Sequence, residues 1–260
     1  MKPQPQDYIG VFDSGVGGIS VLKELIAQMP RENFLYFGDS ANAPYGAKTT
    51  EEVRTLSLQA AAHLAGRGLK ALVVACNTAT AASIRVLRQQ YPGLVVVGIE
   101  PAVKPAAERF PGGRVGVMAT EVTLREEKLR TLLSRYPQTE FIPIAAPGVV
   151  ELVEAGKADS PEMDALLKTL LEQHKGHLDG LVLGCTHYPF VKKAIFRVLG
   201  DIPLFDGGEG TARHTRSCLE ALGLLGAGPG SVEVENSLGC DRILALSKAF
   251  LKETEEAEHG

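Results

Sequence analysis

Short apolar runs alternate along the chain with longer stretches in which apolar residues recur every three or four positions. The runs predict strands at Ile9–Phe12, Phe34–Phe37, Ala71–Ala75, Val95–Ile99, Val115–Met118, Phe141–Ile144, Leu181–Leu183 and Pro203–Phe205. The longer stretches predict helices at Ile19–Gln28, Thr50–Ala65, Ala79–Gln90, Leu124–Tyr136, Pro161–His174 and Pro189–Leu199. Nearly all-apolar strands separated by helices of this length are typical of buried parallel sheets. The pattern therefore predicts an α/β fold of mainly parallel sheets flanked by helices.

The two halves of the pattern resemble each other. Ile9–Ser14 resembles Val115–Thr120 at an offset of 106 residues, and Val73–Thr78 resembles Val182–His187 at an offset of 109. A third pair, Val97–Glu100 with the segment that begins at Leu204, follows at a similar offset. One such match could arise by chance, but three in the same order indicate a duplicated unit.

The repeat predicts two pseudo-symmetric lobes with the functional site in the cleft between them. We expect the chain to cross to the second lobe near residue 100 and to return near residue 207. The first lobe then comprises 1–99 plus 208–260, with 208–260 adding helices, and the second comprises 100–207.

Composition and charge argue against two classes of binding partner, nucleic acids and membranes. The 260 residues include 27 Lys and Arg against 31 Asp and Glu, for a net charge of −4, so a basic nucleic-acid-binding face is not expected. No run approaches the roughly 18 apolar residues of a membrane span, and the start of the chain lacks an apolar signal segment. The four cysteines form no C-x-x-C pair, which argues against a zinc ribbon or a thioredoxin-like redox site. A long chain with few thiols and no signal segment is predicted to be cytoplasmic, with its thiols reduced.

Two glycine-containing loops follow predicted strands. Asp13–Gly18 opens a helix, as a dinucleotide-binding loop does, but Ser20 stands where the third glycine of that motif is required. Asp13 would also repel a pyrophosphate. The alternative is a tight turn with Ser14 as a helix cap. Pro44–Gly46 forms the second loop, which is either part of a ligand site or an ordinary turn packed by Tyr45.

The strongest chemical signal is a pair of cysteines at equivalent places in the two halves. Cys76-Asn77-Thr78 and Cys185-Thr186-His187 each follow a buried strand and precede a predicted helix. One such cysteine is most simply a packed residue, but two related by the repeat would face each other across the cleft. The positive end of a helix favours a thiolate, so we expect a modestly lowered pKa that leaves one thiol and one thiolate near neutral pH.

Two equivalent acid–base groups across one site suit a reaction that is itself nearly symmetric. In a racemisation, one base removes a proton from one face of a stereocentre and an acid returns a proton to the other face. The α-proton of an amino acid is weakly acidic, so the site must stabilise a planar carbanion. Asn77, Thr78 and Thr186 are suitable donors to the α-carboxylate. Asp13 and His187 could each orient or relay the proton of a nearby thiol, although each could instead be a helix cap.

At these residues the sequence resembles the glutamate racemases of the aspartate/glutamate racemase family over about residues 8–225. The motifs that carry the resemblance are Gly10–Gly18, Tyr36–Asp39, Pro44–Gly46, Ala75–Ala79 and Leu183–Pro189. The resemblance implies a cytoplasmic homodimer that needs neither cofactor nor metal and supplies D-glutamate for peptidoglycan. It also implies Cys76 and Cys185 as the two bases, helped by Asp13, His187 and a glutamate. Glu154, rather than Glu151, matches the family pattern Val-Glu-small-Gly.

The substrate-binding residues that the resemblance implies are Asp13, Ser14, Tyr45, Gly46, Asn77, Thr78, Thr120 and Thr186. Ser40–Ala43 departs from the family pattern, which often has an arginine there. Three alternatives remain open from the sequence. The first is a racemase of the same architecture that acts on aspartate or another amino acid, and the second is a non-catalytic relative that only binds a small molecule. The third is a nucleotide-dependent oxidoreductase.

Overall fold

The computed structural model describes residues 2–252, and within this range two parallel sheets lie beneath layers of helices. The first sheet has the order β4-β3-β1-β2-β9 and the second the order β6-β5-β7-β8. The strands are β1 (Tyr8–Asp13), β2 (Asn33–Gly38), β3 (Leu69–Val74), β4 (Val95–Gly98), β5 (Arg114–Ala119), β6 (Glu140–Ala145), β7 (Gly180–Leu183), β8 (Leu204–Asp206) and β9 (Ser231–Asn236). The predicted α/β class is confirmed, and all eight predicted strands are present with ends within two residues.

Helices connect the strands and cover the sheets. They are α1 (Ile19–Gln28), α2 (Thr50–Ala65), α3 (Asn77–Gln90), α4 (Val103–Arg109), α5 (Glu121–Arg125), α6 (Glu127–Leu133), α7 (Val149–Glu154), α8 (Pro161–Leu171), α9 (Lys192–Leu199), α10 (Gly208–Ala221) and α11 (Asp241–Lys252). Short 3-10 turns lie at Ser40–Asn42, Tyr45–Ala47, Glu172–His174 and Tyr188–Val191. None of the helices in the described range combines the length and the apolarity needed to cross a lipid bilayer.

The sheets repeat one topology. When β1–β4 are matched to β5–β8, both sheets have the same strand order, and β9 is an addition at one edge of the first. β1 and β5 are central in this pattern, and β3 and β7 pair with them in parallel. The carboxyl ends of all four strands carry the residues singled out by the sequence repeat. We propose that the lobes divide as the sheets do, with the first lobe formed by 1–99 plus 208–260; its residues 253–260 lie outside the described range.

The structure differs from two predictions about secondary structure. Residues 208–260 were expected to add helices, but they also add β9, which pairs with β2 from Asn33↔Ser231 to Gly38↔Asn236. The predicted helix Leu124–Tyr136 is divided into α5 and α6, because the backbone of Glu126 is extended (φ −66°, ψ 133°). Glu126 ends one helix and precedes the first residue of the next.

Candidate active site

A narrow cavity lies between the two sheets, and both predicted thiols line it. Its lining residues are Ser14, Pro44, Tyr45, Gly46, Cys76, Asn77, Thr78, Thr120, Val150, Gly184, Cys185, Thr186 and His187. Ten of the twelve predicted site residues are in this set. The other two, Asp13 and Glu154, lie one hydrogen bond behind the lining.

Cys76 is the N-cap of α3. Its Sγ accepts a hydrogen bond from the backbone N–H of Ala79 at 3.4 Å, as expected of a thiol at the end of a strand. Its S–H group points to Ser14 Oγ at 3.6 Å, and the Ser14 hydroxyl in turn donates to Asp13 Oδ1 at 3.3 Å. The first thiol is therefore connected through a hydroxyl to a carboxylate.

The expected lowering of the thiol pKa is wrong for Cys76. Burial of the side chain and the negative charge of Asp13 raise the pKa of Cys76 to about 12. The N–H group of Ala79 and the hydroxyl of Ser14 act in the opposite direction but are outweighed, because the cysteine is only 5% exposed. At neutral pH this residue is therefore a thiol.

Asp13 joins the two halves of the site. It is fully buried, and its Oδ2 accepts a hydrogen bond from the Thr186 hydroxyl of the other half at 2.9 Å. Its Oδ1 accepts from the backbone N–H of Gly15 at 3.0 Å. Burial raises the pKa of Asp13 even though the positive charge of His187 and these hydrogen bonds lower it. Asp13 thus accepts hydrogen bonds from both halves of the site, which exceeds the role of a simple cap.

Cys185 has a different environment. A 3-10 turn rather than an α-helix follows it, so the predicted helix end is absent here. Its Sγ instead lies 3.7 Å from His187 Nδ1, and His187 Nε2 lies 2.7 Å from Glu154 Oε1. The second thiol is therefore connected through an imidazole to a carboxylate, in parallel with the serine and aspartate behind Cys76.

His187 and Glu154 form a buried ion pair. Burial alone would lower the pKa of His187, but its hydrogen bonds to Cys185 and Glu154 and their negative charges raise that pKa well above its usual value. Burial alone would raise the pKa of Glu154, but hydrogen bonds from His187, the Val16 N–H and Ser40 lower it. An imidazolium therefore lies beside the Cys185 sulfur, where it can stabilise negative charge.

Glycine is required at positions 15 and 17 of the loop Asp13–Gly18, because the second half of the site packs closely against this loop. A Cβ on Gly15 would overlap the Glu154 carboxylate, and a Cβ on Gly17 would lie 2.7 Å from Thr186 Oγ1. The alternative of a nucleotide-binding loop is not supported, because these side chains occupy the space next to the loop that a phosphate would need.

Polar groups face the cavity around the thiols. The Oδ1 atom of Asn77 is buried and has no hydrogen-bond partner among residues 2–252. A buried acceptor without a partner costs about 1–3 kcal/mol, so this atom is suited to a donor on a bound ligand. Thr120 caps α5 by accepting from the Thr123 N–H at 3.2 Å, and Thr78 Oγ1 lies 3.4 Å from Thr123 Oγ1.

Tyr45 and Gly46 bring the loop of the first half against the second. A Cβ on Gly46 would lie 3.0 Å from the Thr120 Cβ. The hydroxyl of Tyr45 is not free, because it donates to Asp39 Oδ2 at 2.7 Å. Tyr45 therefore shapes the wall of the cavity, and the loop can present its backbone to a ligand.

Two polar residues behind the cavity were not predicted as part of the site, and neither were the lining residues Val150 and Gly184. Ser40 Oγ donates to Glu154 Oε2 at 2.9 Å, and Asn236 Nδ2 donates to Ser40 Oγ at 2.8 Å. Asn236 is the last residue of β9, a strand that the sequence pattern did not indicate, so no sequence signal placed it near the site. Glu151, the alternative to Glu154 on the same helix, is exposed.

Comparison with known proteins identifies the family of the chain. Residues 9–215 match the family model described as Asp/Glu/hydantoin racemase. A glutamate racemase from Clostridium acetobutylicum is 46% identical over 247 residues, which cover 94% of this chain and 96% of that protein.

Two solved structures have the same fold. A glutamate racemase from Thermus thermophilus, in complex with β-chloro-D-alanine, is 40% identical with a TM-score of 0.79, over 96% of this chain and 94% of that one. The Escherichia coli glutamate racemase, in complex with L-glutamate and the activator UDP-MurNAc-Ala, is 30% identical with a TM-score of 0.83. That match covers 94% of this chain and 95% of the other.

Proposed function

This chain belongs to the Asp/Glu/hydantoin racemase family and racemises glutamate, and we propose that Cys76 and Cys185 are the two acid–base groups of the reaction. The D-glutamate that it forms supplies peptidoglycan synthesis, as the family implies. The observation that carries the proposal is that both sulfur-bearing residues line one cavity, on opposite sheets, each with its own carboxylate behind it.

The reaction moves one proton from carbon to sulfur and another from sulfur to carbon. The thiolate on one side takes the α-proton, so the C–H bond breaks and an S–H bond forms. The thiol on the other side then gives its proton to the opposite face of the carbanion and becomes the thiolate. The two cysteines have exchanged protonation states, and exchange with solvent restores them before another molecule of the same enantiomer reacts.

The two halves of the site are chemically unequal although the topology is repeated. Cys76, a thiol at neutral pH, is connected through Ser14 to Asp13, and Cys185 contacts the imidazolium of His187. We propose that the imidazolium of His187, whose Nδ1 lies 3.7 Å from the Cys185 sulfur, stabilises the negative charge that this sulfur carries whenever it acts as the base. Positioning of the two cysteines on opposite sides of one carbon supplies a large part of the rate.

The cavity binds an anionic amino acid through neutral donors. None of the lining residues among the described positions is Lys or Arg, so hydroxyl and backbone N–H groups must bind the carboxylates. We propose that the unpartnered Asn77 Oδ1 accepts from the substrate ammonium. We further propose that Ser14, Thr78 and Thr186 surround the reacting end and that Gly46 and Thr120 contact the side-chain carboxylate.

Circular dichroism of L-glutamate, D-glutamate and both enantiomers of aspartate incubated with the enzyme tests the assignment. We expect decay of the optical signal for both glutamate enantiomers and at least about a hundredfold lower kcat/KM for aspartate, because a substrate one methylene shorter leaves buried polar groups unpaired. Turnover of aspartate alone would overturn the substrate, and absence of turnover with all four compounds would favour a binding protein.

We also propose that the chain acts in the cytoplasm as a homodimer, on the strength of the family resemblance. Light scattering coupled to size-exclusion chromatography measures the mass in solution directly. A mass twice that of the chain is expected, and a mass equal to that of one chain would contradict the homodimer.

A further inference from the structure

We propose that Ser40 and Asn236 are positioning residues that hold Glu154 in place behind His187 and so tune the Cys185 half of the site. The inference rests on the proposed function, because it assigns a task to Cys185. The observation that carries it is an unbroken series of hydrogen bonds. It runs from Asn236 at the end of β9 through Ser40 and Glu154 to His187 and the sulfur of Cys185.

The chemistry of the donors fixes the direction of the two hydrogen bonds that lead from Asn236 to Glu154. The amide nitrogen of Asn236 can only donate, so Ser40 Oγ accepts from it and turns its own hydrogen to Glu154 Oε2. Glu154 Oε1 accepts from the Val16 N–H at 2.7 Å as well as from His187 Nε2. The carboxylate is therefore surrounded by donors, which stabilise its ionised form and leave His187 Nδ1 facing the sulfur.

Asn236 is itself held rigidly. Its Oδ1 accepts from the backbone N–H of Leu238 at 3.0 Å, and it pairs with Gly38 in the register of β9 on β2. The amide is 9% exposed. The Asn236 side chain, fixed at the edge of the first sheet, therefore orients the Ser40 hydroxyl. That hydroxyl in turn holds the Glu154 carboxylate of the second half. Such support is what keeps catalytic groups within a few tenths of an ångström of their working geometry.

The expected size of the effect follows from the surroundings of Glu154. Ser40 and Glu154 also line a second, more open cleft, so water can take the place of a deleted hydroxyl. One charge-assisted hydrogen bond partly replaced by water corresponds to about a tenfold loss of rate. This is far smaller than the loss expected when a thiol is removed.

Ser40→Ala tests the proposal, with kcat measured separately for L-glutamate and D-glutamate. The enantiomers have equal free energy in water, so kcat/KM must be equal in both directions for every variant, and any difference between the two halves shows in kcat and KM. We expect kcat/KM to fall about tenfold and the ratio of the two kcat values to change by about threefold or more. We also expect the acid limb of the pH profile to move to higher pH, since Glu154 loses a donor that lowers its pKa.

Further variants separate positioning from folding. Ser40→Thr keeps the hydroxyl and is expected to restore the ratio and the acid limb, and Asn236→Ala is expected to shift both in the same direction as Ser40→Ala. Ser237→Ala is the matched control, because Ser237 accepts from the Ala41 N–H at 2.9 Å in the same loop and is exposed. A smaller folded fraction lowers both kcat values by one factor and leaves their ratio unchanged.

The outcomes distinguish failure of this inference from failure of the proposed function. If the wild-type protein racemises glutamate but Ser40→Ala and Asn236→Ala keep its kcat ratio and its acid limb, the positioning role is wrong and the function stands. If the wild-type protein does not racemise glutamate, the proposed function is wrong and the inference is lost with it.

Discussion

Replacing Glu154 with glutamine removes a charge from behind the imidazole while preserving the shape of the side chain. In the structure, Glu154 Oε1 lies 2.7 Å from His187 Nε2, with the two side chains 14% and 1% exposed. Two unit charges about 4 Å apart attract by about 4 kcal/mol at an effective dielectric constant of about 20. Desolvation offsets part of this attraction, and we expect about 2 kcal/mol of lost transition-state stabilisation, which is about a thirtyfold fall in kcat/KM.

The same substitution changes the pH profile in a defined direction. Glu154 is one of the groups that raise the pKa of His187 above its usual value, so Glu154→Gln lowers that pKa. Since the imidazolium persists only below the pKa of His187, activity that needs the cation is lost at a lower pH in the variant. We therefore expect the alkaline limb of kcat/KM to move to lower pH.

Circular dichroism of both glutamate enantiomers between about pH 6 and 10 measures both effects, and this range spans the limbs expected for His and Cys groups. Glu151→Gln is the matched control, because Glu151 lies on the same helix and is exposed. Wild-type kcat/KM and an unshifted alkaline limb in Glu154→Gln would refute the assigned role, and so would an equal loss in Glu151→Gln.

Further substitutions test other parts of the structure. Cys76→Ser and Cys185→Ser should each lower kcat by about a thousandfold or more without changing the far-ultraviolet circular dichroism spectrum, because a hydroxyl is a much weaker acid than a thiol; a near wild-type rate in either would contradict the two-base assignment. Asp13→Asn should lower kcat less and unequally for the two enantiomers, and equal, negligible losses would reduce Asp13 to a structural cap. Lys70→Met leaves the fully buried Glu32 carboxylate without its cation, so urea unfolding should show about 3–5 kcal/mol of lost stability. Its kcat should not change, and an unaltered urea midpoint would show that the buried pair is dispensable.

Apolar patterning predicted eight strands because most of their residues are apolar, and β1, β3 and β7 are almost wholly buried. β9 escaped the prediction because its residues alternate between apolar and acidic, with Glu233 and Glu235 paired to Arg67 on the surface. A polar edge strand contains no run of apolar residues by which the sequence pattern could identify it. The break at Glu126 escaped for another reason, because the apolar spacing of α5 and α6 continues across it.

The identity of the site residues was more predictable than their energetics. The repeat and the motifs correctly grouped both thiols, Asp13 and His187 in one site, but spacing on α7 could not separate Glu154 from Glu151. Burial and contact with His187 distinguish the two glutamates in the structure. The direction of the Cys76 pKa shift was wrong because desolvation depends on the tertiary packing around the sulfur, which local position on a strand does not describe.

Racemisation in D₂O, followed by mass spectrometry of both enantiomers at early times, tests the two-thiol mechanism most directly. Starting from either enantiomer, we expect deuterium at Cα of the product and protium at Cα of the unreacted substrate, because the proton is removed by one cysteine and replaced from the other. Product that keeps the original protium, or deuterium that enters substrate and product at the same rate, would show that a single base serves both faces and would contradict the mechanism.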